Sequence, residues 1–545
     1  MRDAGSTDNV DFSRKTFLVI DDFQGMRTVL RDVLRSCGAD VKCISTAANG
    51  REAIDMLSAI KYDVVLCDFN LGTGKNGQQV LEEAKVRQLA GPGCAWIMIT
   101  AEKTSDVVTG AAEYQPDAYL LKPITEATLR QRLAKIWARK GIFAEIDRAM
   151  RNHDYLKAIK LCDERLAFDK ANVSELLRTK ADLLLRVGNY PQARQVFEGI
   201  LADRDFPWAK TGLAKVHIQN GELEVARTLL QETVRENPYF LEAHDLLAST
   251  LQTMGHFDAA IQSLEHATKL SPNSVARQKS LGDVSLKLGH LDTAERAFRK
   301  SVNLGENSIL KTADAYIGLA KTCSAKASPD EALKVLGLLN KTFDDDQSRL
   351  KSMAVEGIVH HQTGNLDKAQ AIAAEMEKAI SGSAGLASGQ ASLDVARLLF
   401  ATGNQSRAVA FLQDQVRNNP ENVGLLNEVK EIFVGAEMGD EGVVLVETSR
   451  REGMEMMNRG VLLARDGHYE DAVASLREAQ KAMPSNVRVL LNLAYVLITR
   501  MQKSAAAPEM LAEAKSCLQE ANRLLPGQTR FAQLSSSLAQ IEAKA

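Results

Sequence analysis

Two short apolar runs that end abruptly in carboxylates constrain the N-terminal part of this 545-residue chain. Asp21 and Asp22 follow the run 17–20, and Asp68 follows the run 64–67. Runs of this length and composition are typical of buried parallel strands, whose carboxyl ends meet at one edge of an α/β sheet. We therefore expect the three carboxylates to lie together. Because like charges repel, this cluster predicts a site for a hard divalent cation such as Mg²⁺.

Two further predicted strands bring a hydroxyl and an ammonium group to the same edge. They span 95–99 and 117–121, and amphipathic helical patterns lie between the predicted strands. The alternation predicts a doubly wound, five-stranded parallel sheet. The residues that these two strands place at or near its edge are Thr100, Ala101, Tyr119, Lys122 and Pro123.

This arrangement resembles the receiver domain of two-component response regulators over about residues 14–137. The resemblance is carried by the acid pair Asp21-Asp22, by Asp68, by Thr100-Ala101, by Tyr119 and by Lys122-Pro123. It implies a flavodoxin-like fold. It also implies that Asp68 accepts a phosphoryl group from a histidine kinase or a phosphotransfer protein, and that the only catalysis is transfer to Asp68 and hydrolysis from it.

The resemblance also assigns roles to the residues around Asp68. Mg²⁺ would be held by Asp21, Asp22, Asp68 and the backbone carbonyl of Asn70. Lys122, Thr100 and Ala101 would bind the phosphoryl group, and Tyr119 would follow Thr100 inward. The Lys122–Pro123 bond would be cis, as X-Pro bonds can be. The side chains expected to set the rate of hydrolysis are those of Asn70 and Glu102.

The loop 69–77 departs from the family pattern, because it lacks the usual proline and is one residue longer. Its glycines also match the G-x-G-x-x-G dinucleotide fingerprint. We reject that alternative, because the loop follows the wrong strand and Asp68 would repel a pyrophosphate. A lone aspartate at a strand end is also commonly a helix N-cap. Here the combination with Thr100 and Lys122 favours the receiver interpretation.

An internal repeat begins near residue 141. A turn of the form Gly-x-(aromatic or Leu)-x-x-Ala starts at Gly188, Gly221, Gly255 and Gly289, at intervals of 33, 34 and 34 residues. Glycine ends a helix in the left-handed conformation, and the small alanine lets two helices approach closely. This period and punctuation resemble the tetratricopeptide repeat (TPR), an all-α solenoid unit.

The predicted domains follow from these two signals. We expect a disordered lead over 1–14, a receiver over 15–137, a helical linker over 138–143 and a TPR array over 144–545. The array is expected to hold about nine or ten repeats and a C-terminal capping helix. Its turn at 328–332 is degenerate, its periodicity is poor around 430–450, and the Gly/Ser-rich stretch 381–390 suggests a hinge.

Composition excludes several classes of partner. With 67 basic and 70 acidic residues, the chain has no general attraction to nucleic acid. No apolar run is long enough for membrane insertion, and the seven scattered cysteines are typical of reduced thiols. We therefore predict a cytoplasmic protein with no nucleic-acid partner.

The predicted function is that of a phosphorelay response regulator whose output is protein–protein interaction. An unidentified protein or peptide would bind the TPR groove, and a homodimer formed through the receiver is left open. The main alternative is a phosphate sink or scaffold without a switched output. A transcriptional regulator lacks any DNA-reading element in this sequence, and a cyclic-nucleotide enzyme lacks a second acidic or histidine cluster.

Overall fold

The strands of the N-terminal α/β domain form one parallel sheet in the order β2-β1-β3-β4-β5. The computed structural model describes residues 11–91, 93–101, 116–152, 154–382, 390–503, 508–525 and 529–542. The three inner strands β1, β3 and β4 are buried along their whole length, whereas the edge strands β2 and β5 are partly exposed. The strands are β1 (Phe17–Ile20), β2 (Ile44–Ala47), β3 (Val64–Asp68), β4 (Ala95–Thr100) and β5 (Ala118–Leu121). This order confirms the predicted flavodoxin-like fold.

An apolar core lies on each face of the sheet. In β3, Val64 and Leu66 belong to one core, and Val65 and Cys67 belong to the other. Helices α1 and α4 cover the first face, and α2 and α3 cover the second. A short 3-10 helix spans Val41–Cys43, and the α-helices described in this domain are α1 (Gln24–Ser36), α2 (Gly50–Ala59), α3 (Gly77–Val86) and α4 (Glu126–Arg151).

Helix α4 does not end where the sequence pattern predicts. We expected a separate helical linker over 138–143, but this stretch belongs to α4, which continues through Gly141 to Arg151. Its first half carries Leu129 and Leu133 in the core of the sheet, and its second half packs against the next helix along the chain. A single glycine costs a helix only about 1 kcal/mol, and packing at both ends of α4 outweighs that.

The chain divides into two compact units, Met1–Leu185 with Asn189–Ala315 and Arg186–Gly188 with Tyr316–Ala545. The repeat helices from 155 to 305 are α5 (Tyr155–Leu166), α6 (Val173–Arg186), α7 (Tyr190–Asp203), α8 (Pro207–Gln219), α9 (Leu223–Glu236), α10 (Leu241–Thr253), α11 (Phe257–Leu270), α12 (Val275–Lys287) and α13 (Leu291–Gly305). Each of these helices packs mainly against its neighbours in the chain, as expected for a repeat array.

The remaining helices continue the pattern of paired, short-turn helices. They are α14 (Ala313–Ala325), α15 (Pro329–Thr342), α16 (Asp346–Gln362), α17 (Leu366–Gly382), α18 (Gln390–Ala401), α19 (Gln405–Asn418), α20 (Val423–Gly435), α21 (Gly439–Arg465), α22 (Tyr469–Ala482), α23 (Val487–Lys503), α24 (Pro508–Leu524) and α25 (Thr529–Glu542). Residues 383–389 of the predicted hinge lie outside the described residues, as do residues 1–10 of the predicted lead.

The repeated turn has the backbone geometry that its sequence predicts. The turn glycines have positive φ angles, for example 80° at Gly221 and 81° at Gly255. The alanine of the pattern is completely buried at Ala193, Ala226 and Ala260. Glycine adopts the left-handed conformation without steric cost, and alanine leaves room for close helix packing.

Among the repeat turns that the structure describes, two reach the same geometry without glycine. Ala327, just before the degenerate turn at 328–332, has φ 55°, and Glu437 has φ 60°. After Glu437, helix α21 runs for 27 residues and packs against α19, α20, α22 and α23. One long helix thus serves two successive helix pairs, which explains the poor periodicity around 430–450.

Candidate functional site

The three predicted carboxylates lie together at the carboxyl edge of the sheet. Oxygen atoms of Asp21, Asp22 and Asp68 all lie within 4.8 Å of one another. Asp21 is completely buried and Asp68 nearly so, whereas Asp22 is exposed. The parallel register that pairs Ile20 with Cys67 brings the ends of β1 and β3 side by side. Among the described residues, this is the one acidic cluster with metal-binding geometry.

The ammonium group of Lys122 lies between two of these carboxylates. Its Nζ donates to Asp21 Oδ2 at 2.9 Å and to Asp68 Oδ2 at 3.0 Å. Burial disfavours the charge of Lys122, but its hydrogen bonds to both carboxylates outweigh this and raise its pKa. Burial raises the pKa of Asp68, although the hydrogen bond from Lys122 acts in the opposite direction. The two charges therefore stabilise each other in a partly desolvated site.

Backbone contacts hold the acid pair in place. The side chain of Asp21 accepts a hydrogen bond from the N–H of Phe23 at 2.9 Å. Arg27 donates to the carbonyl oxygens of Asp21 at 2.7 Å and Asp22 at 3.1 Å. The sequence analysis did not single out Arg27. Its position one turn into α1 was the available signal, because a cation there can reach back to the preceding loop.

The loop between β3 and α3 closes tightly against the site. Its two ends are joined, because the N–H of Gly77 donates to the carbonyl oxygen of Phe69 at 2.9 Å. A Cβ at Gly77 would lie 2.0 Å from the carbonyl oxygen of Asp68, so only glycine fits there. Gly72 has φ 71°, and a Cβ there would lie 3.2 Å from Asp22 Oδ2. Asn70 is exposed within this loop.

The predicted switch residues lie at the ends of β4 and β5. Thr100 is buried, Ala101 is exposed, and the carbonyl oxygen of Thr100 accepts a hydrogen bond from the N–H of Lys122 at 2.9 Å. The hydroxyl of Tyr119 is buried and has no hydrogen-bond partner among the described residues. Burial raises the pKa of Tyr119. The Lys122–Pro123 peptide bond is cis. Glu102 lies outside the described residues.

The donor set suits Mg²⁺. Three carboxylates provide hard oxygen ligands, and Mg²⁺ characteristically takes one or two carboxylates together with water and phosphate oxygens. Gly72 leaves space beside Asp22 that a side chain would fill. The residues present therefore fit the cation that the sequence predicts.

The sheet order, the acid cluster and the paired lysine together define an α/β receiver. Residues 17–134 match the family model described as response regulator receiver domain. Three further segments, 184–249, 241–274 and 457–521, match models described as tetratricopeptide repeat. The chain belongs to the response regulator receiver family through its N-terminal domain, and TPR repeats follow that domain.

Curated relatives agree with this assignment. The chain is 32% identical over 122 residues to chemotaxis protein CheY-3 of Vibrio cholerae, covering 22% of this chain and 91% of the relative. It is 29% identical over 122 residues to chemotaxis protein CheY of Pseudomonas aeruginosa, covering 22% of this chain and 95% of the relative. A solved structure of Vibrio cholerae CheY4 is 22% identical, covers 22% of this chain and 98% of that chain, and has a TM-score of 0.21.

The predictions about membrane insertion and about partners can also be compared with these findings. No helix among the described residues is long and apolar enough to cross a membrane. The receiver implies a phosphodonor partner, and the TPR repeats imply interaction with protein.

Proposed function

We propose that this protein is a phosphorelay response regulator in which Asp68 accepts a phosphoryl group from a histidine kinase or phosphotransfer protein. The observation that carries the proposal is the contact of Lys122 with Asp68 and Asp21 inside a cluster of three carboxylates. An ordinary surface ion pair would not need a second and a third carboxylate within 4.8 Å. A site for anionic phosphoryl transfer does need them, because they hold a cation beside the acceptor.

The chemistry is a nucleophilic displacement at phosphorus. A carboxylate oxygen of Asp68 forms a new P–O bond as the P–N bond of the phosphohistidine donor breaks, and the electron pair of that bond remains on the imidazole nitrogen. The nitrogen then takes up a proton. Lys122 donates hydrogen bonds to the phosphoryl oxygens, and the hydroxyl of Thr100 donates to another. Positioning and charge neutralisation supply most of the catalysis.

Mg²⁺ would be held by Asp21, Asp22, Asp68 and the backbone carbonyl of Asn70. When bound, it supplies positive charge that offsets the negative charge of the phosphoryl oxygens. Asn70 and Glu102 are the side chains proposed to set how quickly water removes the phosphoryl group. Tyr119, whose buried hydroxyl has no hydrogen-bond partner among the described residues, is the residue proposed to move with Thr100.

The proposed output is binding of a protein or peptide by the TPR repeats, controlled by the state of Asp68. The continuity of α4 supports this proposal, since one helix belongs both to the receiver core and to the first helix pair. Residues 102–115, between β4 and β5, lie outside the described residues. The phosphate-sink alternative shares the same chemistry and lacks only the change in partner binding.

Phosphorylation of purified protein by acetyl phosphate tests the assignment of Asp68. With Mg²⁺, we expect one acid-labile phosphoryl group on the wild-type chain and none on Asp68→Asn. Lys122→Ala should retain much less label, because the phosphoryl oxygens lose their cationic partner. The matched control is Asp55→Asn, an exposed carboxylate on α2 that should leave labelling unchanged. Labelling of Asp68→Asn at the wild-type level would show that another residue is the acceptor.

A further inference from the structure

Helix α3 of the receiver makes a polar contact with the segment that follows α13. Lys75 Nζ donates to the carbonyl oxygen of Asn307 at 2.6 Å, and Gln79 Nε2 donates to the carbonyl oxygen of Leu304 at 3.1 Å. Ser308 Oγ donates to Glu82 Oε1 at 2.6 Å. All of these residues belong to the same compact unit of the chain. We call this set of contacts the α3 latch.

The latch is a specific contact because two of its polar side chains are buried and the others are half-buried. Glu82 is 3% exposed and Ser308 is 6% exposed. A buried carboxylate without hydrogen bonds is strongly unfavourable, so the hydroxyl of Ser308 is part of what keeps Glu82 in place. Lys75 is also held from the receiver side, by an ion pair with Glu83 at 2.9 Å.

The receiver satisfies backbone groups that α13 leaves open. The last carbonyl groups of a helix have no partner within the helix and carry partial negative charge. Leu304 lies in the last turn of α13, and Asn307 follows its end. An amide from Gln79 and an ammonium from Lys75 are therefore well matched to these two carbonyl oxygens. Side chains of the receiver thus cap a helix of the repeat array.

One latch residue, Lys75, belongs to the loop that follows the phosphoacceptor Asp68. Residues 69–76 run from the end of β3 to the start of α3, and Lys75 is the one charged side chain among them. Asn76 and Gln79 form a reciprocal capping box, with hydrogen bonds of 3.0 and 2.9 Å, so the latch residue Gln79 is tied to the end of this loop. Gly72, in the middle of the same loop, lies close to Asp22.

We propose that the α3 latch holds the end of α13 against the receiver while Asp68 is unphosphorylated, and that phosphorylation of Asp68 releases it. This inference rests on the proposed function of Asp68. Phosphorylation replaces the Asp68 carboxylate, which carries one negative charge, by an acyl phosphate that carries about 1.5 to 2, so the negative charge beside the loop rises by up to about one unit. That charge attracts the ammonium of Lys75 away from Asn307. The carbonyl oxygen of Asn70, in the same loop, would help to hold a bound Mg²⁺, which would couple the loop to the charge at Asp68.

Release exposes a surface that the latch covers, which consists of the outer face of α3 and the carbonyl end of α13. The switch therefore runs through the β3–α3 loop, in addition to the route through Thr100 and Tyr119. Because coupling is reciprocal, weakening the latch must also favour the phosphorylated form of the receiver.

Hydrogen exchange of the full-length protein tests the latch. The probe is beryllofluoride with Mg²⁺, a mimic of the phosphoryl group. We expect exchange of the amides in 304–312 to rise about 5- to 150-fold when the mimic binds, the range typical of allosteric coupling. Asp68→Asn should show no rise. Lys75→Ala combined with Gln79→Ala should show fast exchange without the mimic, and should bind the mimic more tightly.

The matched control is Lys42→Ala, an exposed lysine of the receiver that lies outside the latch. It should behave like the wild-type chain. If beryllofluoride protects residues 69–76 but leaves exchange of 304–312 unchanged, the latch proposal fails and the phosphoacceptor proposal stands. If residues 69–76 do not respond at all, both proposals fail. Slow exchange of 304–312 in the double variant would also overturn the latch.

Discussion

The apolar cores of the receiver join many elements of the domain, whereas those of the repeat helices join only a few neighbouring helices. In the receiver, strand β3 pairs with both β1 and β4, and its side chains enter the cores on both faces of the sheet. In the repeats, a core residue such as Phe433 of α20 packs against Gly442 of α21 and Phe400 of α18. Damage to one strand should therefore spread through the receiver, whereas damage to one helix pair should remain near that pair.

The largest effect is expected from Phe433→Ala. Phe433 is completely buried, and it lies against Gly442, which has no side chain that could move into the space left by the ring. We expect a loss of about 3–5 kcal/mol of unfolding free energy. Hydrogen exchange should accelerate in α18–α21 and remain unchanged in β1–β4. Equal acceleration in the strands would break the comparison.

Leu66→Ala makes the corresponding change in the receiver. Leu66 is completely buried in β3, and we expect its truncation to cost about 2–5 kcal/mol. Exchange should accelerate in all the inner strands together, because β3 joins them, while α15–α20 keep their protection. Acceleration confined to β3 alone would show that the receiver, too, opens locally.

The smallest effect is expected at the turns. Ala327 has a positive φ of 55°, a conformation that costs a non-glycine residue about 1–2 kcal/mol. Ala327→Gly should therefore raise the free energy of unfolding by about 0.5–1 kcal/mol after the entropy of glycine in the unfolded chain is counted. The matched variant Gly364→Ala, at φ 79°, should lower it by a similar amount. Denaturant midpoints would measure both changes, and a loss of stability in Ala327→Gly would contradict the steric argument.

The sequence predicts most of the receiver because its signals are local. Apolar runs that end in Asp21-Asp22 and Asp68 identify the strands, and parallel pairing then requires those ends to meet. The repeat turns can also be predicted from sequence where the residue in the left-handed conformation is glycine, as at Gly221 and Gly255. In the receiver, aspartate indicates the end of a strand, and in the repeats, glycine indicates a turn with positive φ.

The structural features that the sequence did not predict depend on contacts between distant residues or on strained backbone. Ala327 and Glu437 occupy positions where glycine would be expected, so the turn pattern is lost. The capping of α13 by Gln79 joins residues more than 200 positions apart, and no periodicity connects them. Continuation of α4 beyond Lys140 depends on packing at both ends, which propensity alone does not reveal.

The length of α4 has a further consequence for how strong any receiver–repeat contact must be. A helix of 26 residues is about 39 Å long and semi-rigid. It holds two surfaces in a fixed relation, so their effective concentration far exceeds the millimolar values typical of short flexible tethers. Much of the entropic cost of association has then been met during folding. Contacts that would be too weak to join two separate molecules can therefore remain formed here.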